Sequence, residues 1–312
     1  MTINRVGSYN ALQSASFELL RAQSRQVQAQ QEVATGKRAS DLRGFGTQAD
    51  VLTAAKTVQA RVETFIENGK ALSARLESQN LALERVSESV NGARQAVGSA
   101  ISAGRGPTLM AELDSWLATA AQSLNMKHDG RYLFSGSNTD DVPVAIDNLD
   151  DLRLQGVAAA FQNDAAPPKS RLDESTTAVS GFLADKVGTE FFTILRNIKD
   201  FHETVGSGPL DGPLNAAQET FLKQQLGLLE AAHGNTVEVT AQNGLLQNRV
   251  EGAMEAQQAR SVTLEGFLGE ITDVDMAEAF TRLEQAQTAL QASAYALQSL
   301  QKMSLLDLLR GG

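Results

Sequence analysis

The sequence predicts a mainly α protein: an elongated antiparallel coiled-coil helical bundle formed by N- and C-terminal segments, with a small β-rich insert domain at the tip. Three observations carry this. Apolar residues recur on a seven-residue step from Val51 to Val97 without a proline; the same step returns between Leu222 and Ala253; and Ala, Gln, Leu, Glu and Ser dominate the composition. A 3.5-residue repeat keeps one narrow face of a helix against a partner and imposes a left-handed supercoil. Small side chains on such a seam let helices approach closely.

In the central stretch one seam position reads Val51, Val58, Phe65, Leu72, Gln79, Val86, Ala93, and its companion reads Ala55, Val62, Gly69, Leu76, Leu83, Val90, Val97. Gln79 and Gly69 are the two residues out of character. At about 1.5 Å per residue the stretch extends to roughly 70 Å, more than a compact domain requires. The returning segment, Leu222, Leu229, Thr236, Asn243, Val250 beside Ala232, Val239, Leu246, Ala253, is its natural antiparallel mate. Asn243 on that seam favours register over stability.

In chain order, residues 3 to 35 form a first helix with Ile3, Val6, Leu12, Phe17, Leu20, Val27 and Ala34 as its apolar stripe. Ser24 and Gln31 interrupt the seam, so this helix depends on partners. Gly36 closes it and residues 36 to 46 are a connector. Thr47 and Asp50 read as the N-cap and acidic residue that start the long helix. The glycines of Gly44-Phe45-Gly46-Thr47-Gln48-Ala49 match a dinucleotide-binding turn, but no strand precedes them to aim the loop, so a nucleotide role is rejected.

Gly104-Arg105-Gly106-Pro107 ends the central helix. Leu109, Leu113, Trp116, Leu117, Ala120 and Leu124 then make one apolar face, with Trp116 expected in a seam rather than as a ligand platform. Residues 129 to 139 read as a short aromatic strand between turn residues, and residues 140 to 186 as the β-rich insert. Helix returns at Glu190 with Phe191, Phe192, Leu195, Ile198 and Phe201 on a broad face, and again near Leu214. Thr272-Asp273-Val274-Asp275 launches a last helix whose seam is Phe280, Leu283, Leu290 and Leu297, followed by Leu305, Leu306, Leu308 and Leu309. Leucines concentrated there imply a partner surface. The domain division expected is 1–46 and 271–312 as an inner terminal domain, 47–139 and 187–270 as the halves of a helical rod, and 140–186 as the insert.

Several function classes are disfavoured. A net charge of −10 without a Lys/Arg cluster argues against nucleic acid. The absence of cysteine excludes disulfides and thiolate chemistry. Residues 1 to 9 lack the apolar core of a signal peptide, and no run of eighteen apolar residues exists to span a bilayer. His128, His202 and His233 lie in separate segments, and neither a P-loop nor G-x-S-x-G is present. No catalytic, cofactor or metal residue is therefore expected, and the chain is read as no enzyme.

The order of parts resembles the bacterial flagellin superfamily. Within it, three stretches resemble the hook-associated branch: Gly130-Arg131-Tyr132-Leu133-Phe134-Ser135-Gly136-Ser137-Asn138-Thr139, Asp273-Val274-Asp275-Met276-Ala277-Glu278-Ala279-Phe280-Thr281-Arg282-Leu283, and Ser304-Leu305-Leu306-Asp307-Leu308-Leu309. The resemblance implies a structural subunit at the junction between hook and filament, exported without a cleaved signal through the flagellar type III channel to the extracellular flagellum. It implies as partners further copies of the chain, hook and other hook-associated proteins, flagellin and an export chaperone, with no nucleic acid and no membrane insertion. Leu20, Val27, Phe280, Leu283, Leu290, Leu297, Leu305, Leu306, Leu308 and Leu309 are the expected assembly interface. A filament flagellin, or a cytoplasmic coiled-coil scaffold, is the alternative.

Overall fold

The computed structural model describes the backbone of residues 2–310 and the side chains of residues 10–302. Its elements in order are helices α1 (Thr2–Thr35), α2 (Ala49–Ala103) and α3 (Leu109–Leu124), strands β1 (Lys127–His128) and β2 (Arg131–Tyr132), and helices α4 (Leu149–Gln155) and α5 (Val157–Ala160). Strands β3 (Lys169–Arg171) and β4 (Thr177–Val179) follow, then α6 (Ala184–Glu203), α7 (Ala216–Thr272) and α8 (Met276–Arg310). The fold class is as expected: mainly helical, with long N- and C-terminal helices packed as pairs and a small β-containing insert. The chain divides into two compact units, Met1–Arg61 with Arg260–Gly312, and Val62–Ala259.

In the second unit α2 and α7 run antiparallel. Asn243 Nδ2 donates to the Leu76 carbonyl at 3.0 Å, Ser87 Oγ lies 3.2 Å from His233 Nδ1, and Gly69 faces Met254. The expected seam is buried from Val62 to Val97 except at Phe65, which is half-buried and gives its place to Ile66, so the buried residues step Val62, Ile66, Gly69, Leu72, Leu76. Two successive steps of three at Ile66, Gly69 and Leu72 form a stammer, which locally overwinds a coiled coil. Of the two anomalous residues, Gly69 has a local cause. A Cβ on Gly69 would lie 2.5 Å from Met254 Cγ, so glycine is what lets this side chain cross the seam. Gln79 is fully buried near Gly181 of the insert, and neither atom of its side-chain amide has a hydrogen-bond partner, so nothing in the structure explains a glutamine there.

The rest of the core lies between α2, α3, α6 and the start of α7. Leu109, Leu113, Leu117, Ala120 and Leu124 are buried as expected. Trp116 is half-buried with its ring against Gly92, where a Cβ would come within 2.3 Å. Phe191 and Phe192 are buried, and Phe201 stacks on Phe221 with centroids 3.9 Å apart. Aromatic stacking of this kind adds to area burial.

Several boundaries are set by caps that differ from the expected ones. Thr47 makes no cap: residues Leu42–Gln48 form a 3-10 turn whose N-cap is Asp41, and α2 starts at Ala49. At the end of α2, Gly104 takes φ +64°, Gly104 N–H donates to Ile101 O and Arg105 N–H to Ala100 O, a Schellman closure. Helix α6 begins at Ala184, six residues before the expected start. Asn215 caps α7 by accepting from Ala217 and Gln218 N–H, while Gln218 Oε1 accepts from Asn215 N–H.

The insert combines hairpin β3–β4 with α4 and α5, two short helices not separated in the sequence. Hairpin β1–β2 precedes it. Its two turn residues, Asp129 (φ 49°) and Gly130 (φ 78°), both take the left-handed conformation that twisted two-residue hairpins demand. The insert is tied to α6 by ion pairs: Lys199 Nζ lies 2.9 Å from Asp150 and Arg153 Nε 3.0 Å from Asp200.

Candidate assembly surfaces

The first unit is built on the pairing of α1 with α8. Arg282 Nη2 is 3.0 Å from Glu32 Oε2, and a cleft lined by Arg25, Gln28, Ala29 and Glu32 on one side and Arg282, Gln285, Ala286 and Ala289 on the other fixes the pair as antiparallel. The fully buried apolar residues are small: Ala22 and Ala29 on α1, Ala279 and Ala286 on α8. Alanine at these positions lets the backbones approach closely but buries little area.

The seam on α1 is therefore not the one expected. Leu12, Leu19, Gln26 and Val33 with Ala15, Ala22 and Ala29 face α8, whereas Leu20 and Val27 are 59% and 46% exposed and Ala34 is also outside. The alternative stripe lay one position away, and periodicity alone does not choose between adjacent stripes when both contain apolar residues. On α8, Leu283, Leu290 and Leu297 are half-buried toward α1, but Phe280 is 55% exposed. Val51 at the head of α2 is likewise exposed, its place taken by Leu52. Leu305, Leu306, Leu308 and Leu309, and Ile3 and Val6, lie outside the residues whose side chains are described.

The result is a helical pair carrying two kinds of apolar residue. One row closes the pair; a second, Phe17, Leu20 and Val27 on α1 with Phe280 and Tyr295 on α8, points away from it. Positions 17, 20 and 27 lie on one side of a helix.

The α1–α2 and α7–α8 connectors are clasped. Arg38 N–H donates to Thr272 O at 2.8 Å, Val274 N–H donates to Gly36 O at 3.0 Å, and Arg38 Nε reaches Asp273 O at 2.9 Å. Lys37 pairs with the Asp273 carboxylate, and hydrogen bonds from Lys37 and then Thr272 hold that carboxyl below its ordinary pKa. The Asp-Val-Asp stretch thus divides its roles. Asp273 grips Lys37, while Asp275 caps α8 by accepting from Ala277 and Glu278 N–H; Thr272 still belongs to α7.

The histidines are hydrogen-bonded to groups distant in sequence or across a loop. His128 Nδ1 lies 2.9 Å from Ser78 Oγ, and His202 Nδ1 accepts from Leu210 N–H. Among the described residues no group of three His, Asp or Glu is placed to hold a metal, and no helix is long and apolar enough to cross a membrane.

Residues 226–309 match the family model of the bacterial flagellin C-terminal helical region, which takes in most of α7 and nearly all of α8. The C-terminal helical segments of this chain are thus similar to the corresponding region of bacterial flagellins. Two solved structures share the fold in particular. One is of a flagellar hook-associated protein from Vibrio parahaemolyticus (TM-score 0.58, 18% identity, covering 72% of this chain and 97% of that one). The other is of FlgL from Bacillus cereus (TM-score 0.53, 14% identity, 70% and 98%). No curated protein sequence matches the chain.

Proposed function

We propose that the chain is a structural subunit of the junction between flagellar hook and filament, of the hook-associated protein 3 type, working outside the cell without catalysis. The observation that carries this reading is the outward apolar row Phe17, Leu20, Val27, Phe280 and Tyr295 on a helical pair closed chiefly by alanines. Leaving such side chains wet forgoes about 25 cal/mol per Å² of apolar area, so the pair gains stability when further helices cover the row. The flagellin C-terminal region and the fold of the two hook-associated structures support the same reading. Its partners are then other copies of itself, hook and hook-associated proteins on one side, flagellin on the other, and an export chaperone before secretion. Leu305, Leu306, Leu308 and Leu309 belong to the same proposed assembly interface by their apolar character in the sequence alone.

A strain lacking this chain should make hooks without filaments and release unpolymerised flagellin into the medium. A version ending before Met303 should not restore filaments. Full-length filaments in the deletion strain would overturn the junction reading, and complete loss of the flagellin subunit would make the chain the filament protein itself.

A further inference from the structure

The second unit contains a cavity of about 600 Å³ lined by α2, the β1–β2 hairpin and strand β3. Three arginines from distant parts of the sequence meet in its wall: Arg75, Arg131 and Arg171. His128 joins them, and the lining holds one carboxylate, Asp129, whose side chain is 92% exposed and lies 3.5 Å from His128 Nε2. In a chain of net charge −10 this is a local reversal of sign.

The arginines differ in how they are satisfied. Arg171 Nε donates to Asp173 O at 2.9 Å and its Nη2 to Glu174 O, both backbone acceptors. Arg75 Nη2 is buried and has no hydrogen-bond partner. Burial, and next the charge of Arg131, lower the pKa of Arg75. A buried guanidinium N–H group without a partner is costly, and the planar fork of donors matches oxyanions.

We propose that this cavity is an oxyanion-binding site, in which Arg75 and Arg131 grip a phosphate-, sulfate- or carboxylate-type head and Arg171 closes one side. The head comes either from a free small anion or from an acidic side chain of a second copy, and the site follows from the geometry of this unit whichever flagellar role the chain has. Charge-assisted hydrogen bonds from two guanidinium groups supply the affinity.

Thermal unfolding and calorimetric titration of the full chain with inorganic phosphate, against chloride at matched ionic strength, test the proposal. Phosphate should bind saturably at one site and raise Tm beyond chloride. Arg131→Gln, an exposed position, should weaken binding about tenfold or more and remove the excess rise. Arg75→Met should do the same while raising Tm in chloride, because the unpaired buried charge is gone. An equal phosphate response in the natural chain and Arg131→Gln would overturn the site, as would the absence of saturable binding. Polymerisation distinguishes the source: slowing by phosphate in the natural chain but not in Arg131→Gln assigns the head to a second copy, and an unchanged rate assigns it to a free ligand.

Discussion

Arg282 on α8 reaches across to Glu32 on α1 at 3.0 Å, and it also holds Glu278 at 2.9 Å on its own helix. The Glu32 side chain is 11% exposed, so this pair places a charge inside a seam whose most buried apolar residues are alanines. Such a pair specifies register more than it stabilises, because desolvation offsets most of the attraction. Removing Arg282 alone should therefore cost more than removing both. Arg282→Leu is expected to destabilise the α1–α8 pair by about 1–2 kcal/mol, discounted for the partial exposure of Arg282, and Glu32→Gln with Arg282→Leu to recover most of that. Chemical denaturation of the four members of the cycle reads this out.

Leu290 is half-buried between Leu283 and Leu297 on the face toward α1, while Gln287 is exposed. Leu290→Asp should disrupt the α1–α8 pair within one chain, and with it polymerisation, because a carboxylate enters an apolar seam. Gln287→Glu should be nearly silent. Amide exchange along α1 and α8, with α2 as the internal reference, locates the damage; unchanged exchange and normal polymerisation in Leu290→Asp would remove this seam from the interface.

The outward row makes a separable prediction. Leu20→Ser, Val27→Ser and Phe280→Ser remove apolar area that the isolated chain leaves in water. Monomer stability should change by no more than about 0.5 kcal/mol per site while polymerisation fails. Polymerisation at the natural rate in the triple variant would show that the row is not covered on assembly.

Gly69 and Met254 predict a compensating pair. Gly69→Ala raises helix propensity by about 1 kcal/mol but drives a methyl into Met254 Cγ, so the net effect should be destabilising. In a Met254→Ala background the same change should turn stabilising. Equal effects in both backgrounds, measured by denaturant titration, would contradict the packing account.

The insert should be sensitive to pH at both extremes. Hydrogen bonds and charge from Lys199 hold Asp150 and Glu203 below their ordinary pKa values. Burial lowers the pKa of Lys199, but the two carboxylates outweigh it and the net shift is upward. For depressed carboxyls, the stabilisation is full above their unfolded values near about 4 and is lost as pH falls through the folded ones. For the raised lysine it is full below about 10.4 and lost as pH climbs past its folded value. Protection of α4 relative to α2 should thus be flat through neutrality and fall at both ends. Lys199→Met should lower the plateau and flatten both limbs.

The sequence by itself determined the long helices and their antiparallel mates, since a seven-residue apolar period from Val62 to Val97 has one economical solution and Asn243 finds its seam position. The tertiary structure decided what periodicity leaves degenerate. It selected Leu19 over Leu20 for the α1 seam, because two adjacent apolar stripes differ only in what packs against them. It explained Gly69 through Met254, a contact nearly two hundred residues away along the chain. It also drew together Arg75, Arg131 and Arg171, which no local window contains, because side-chain charge has no period and is assembled only when helix α2 and two hairpins share a wall.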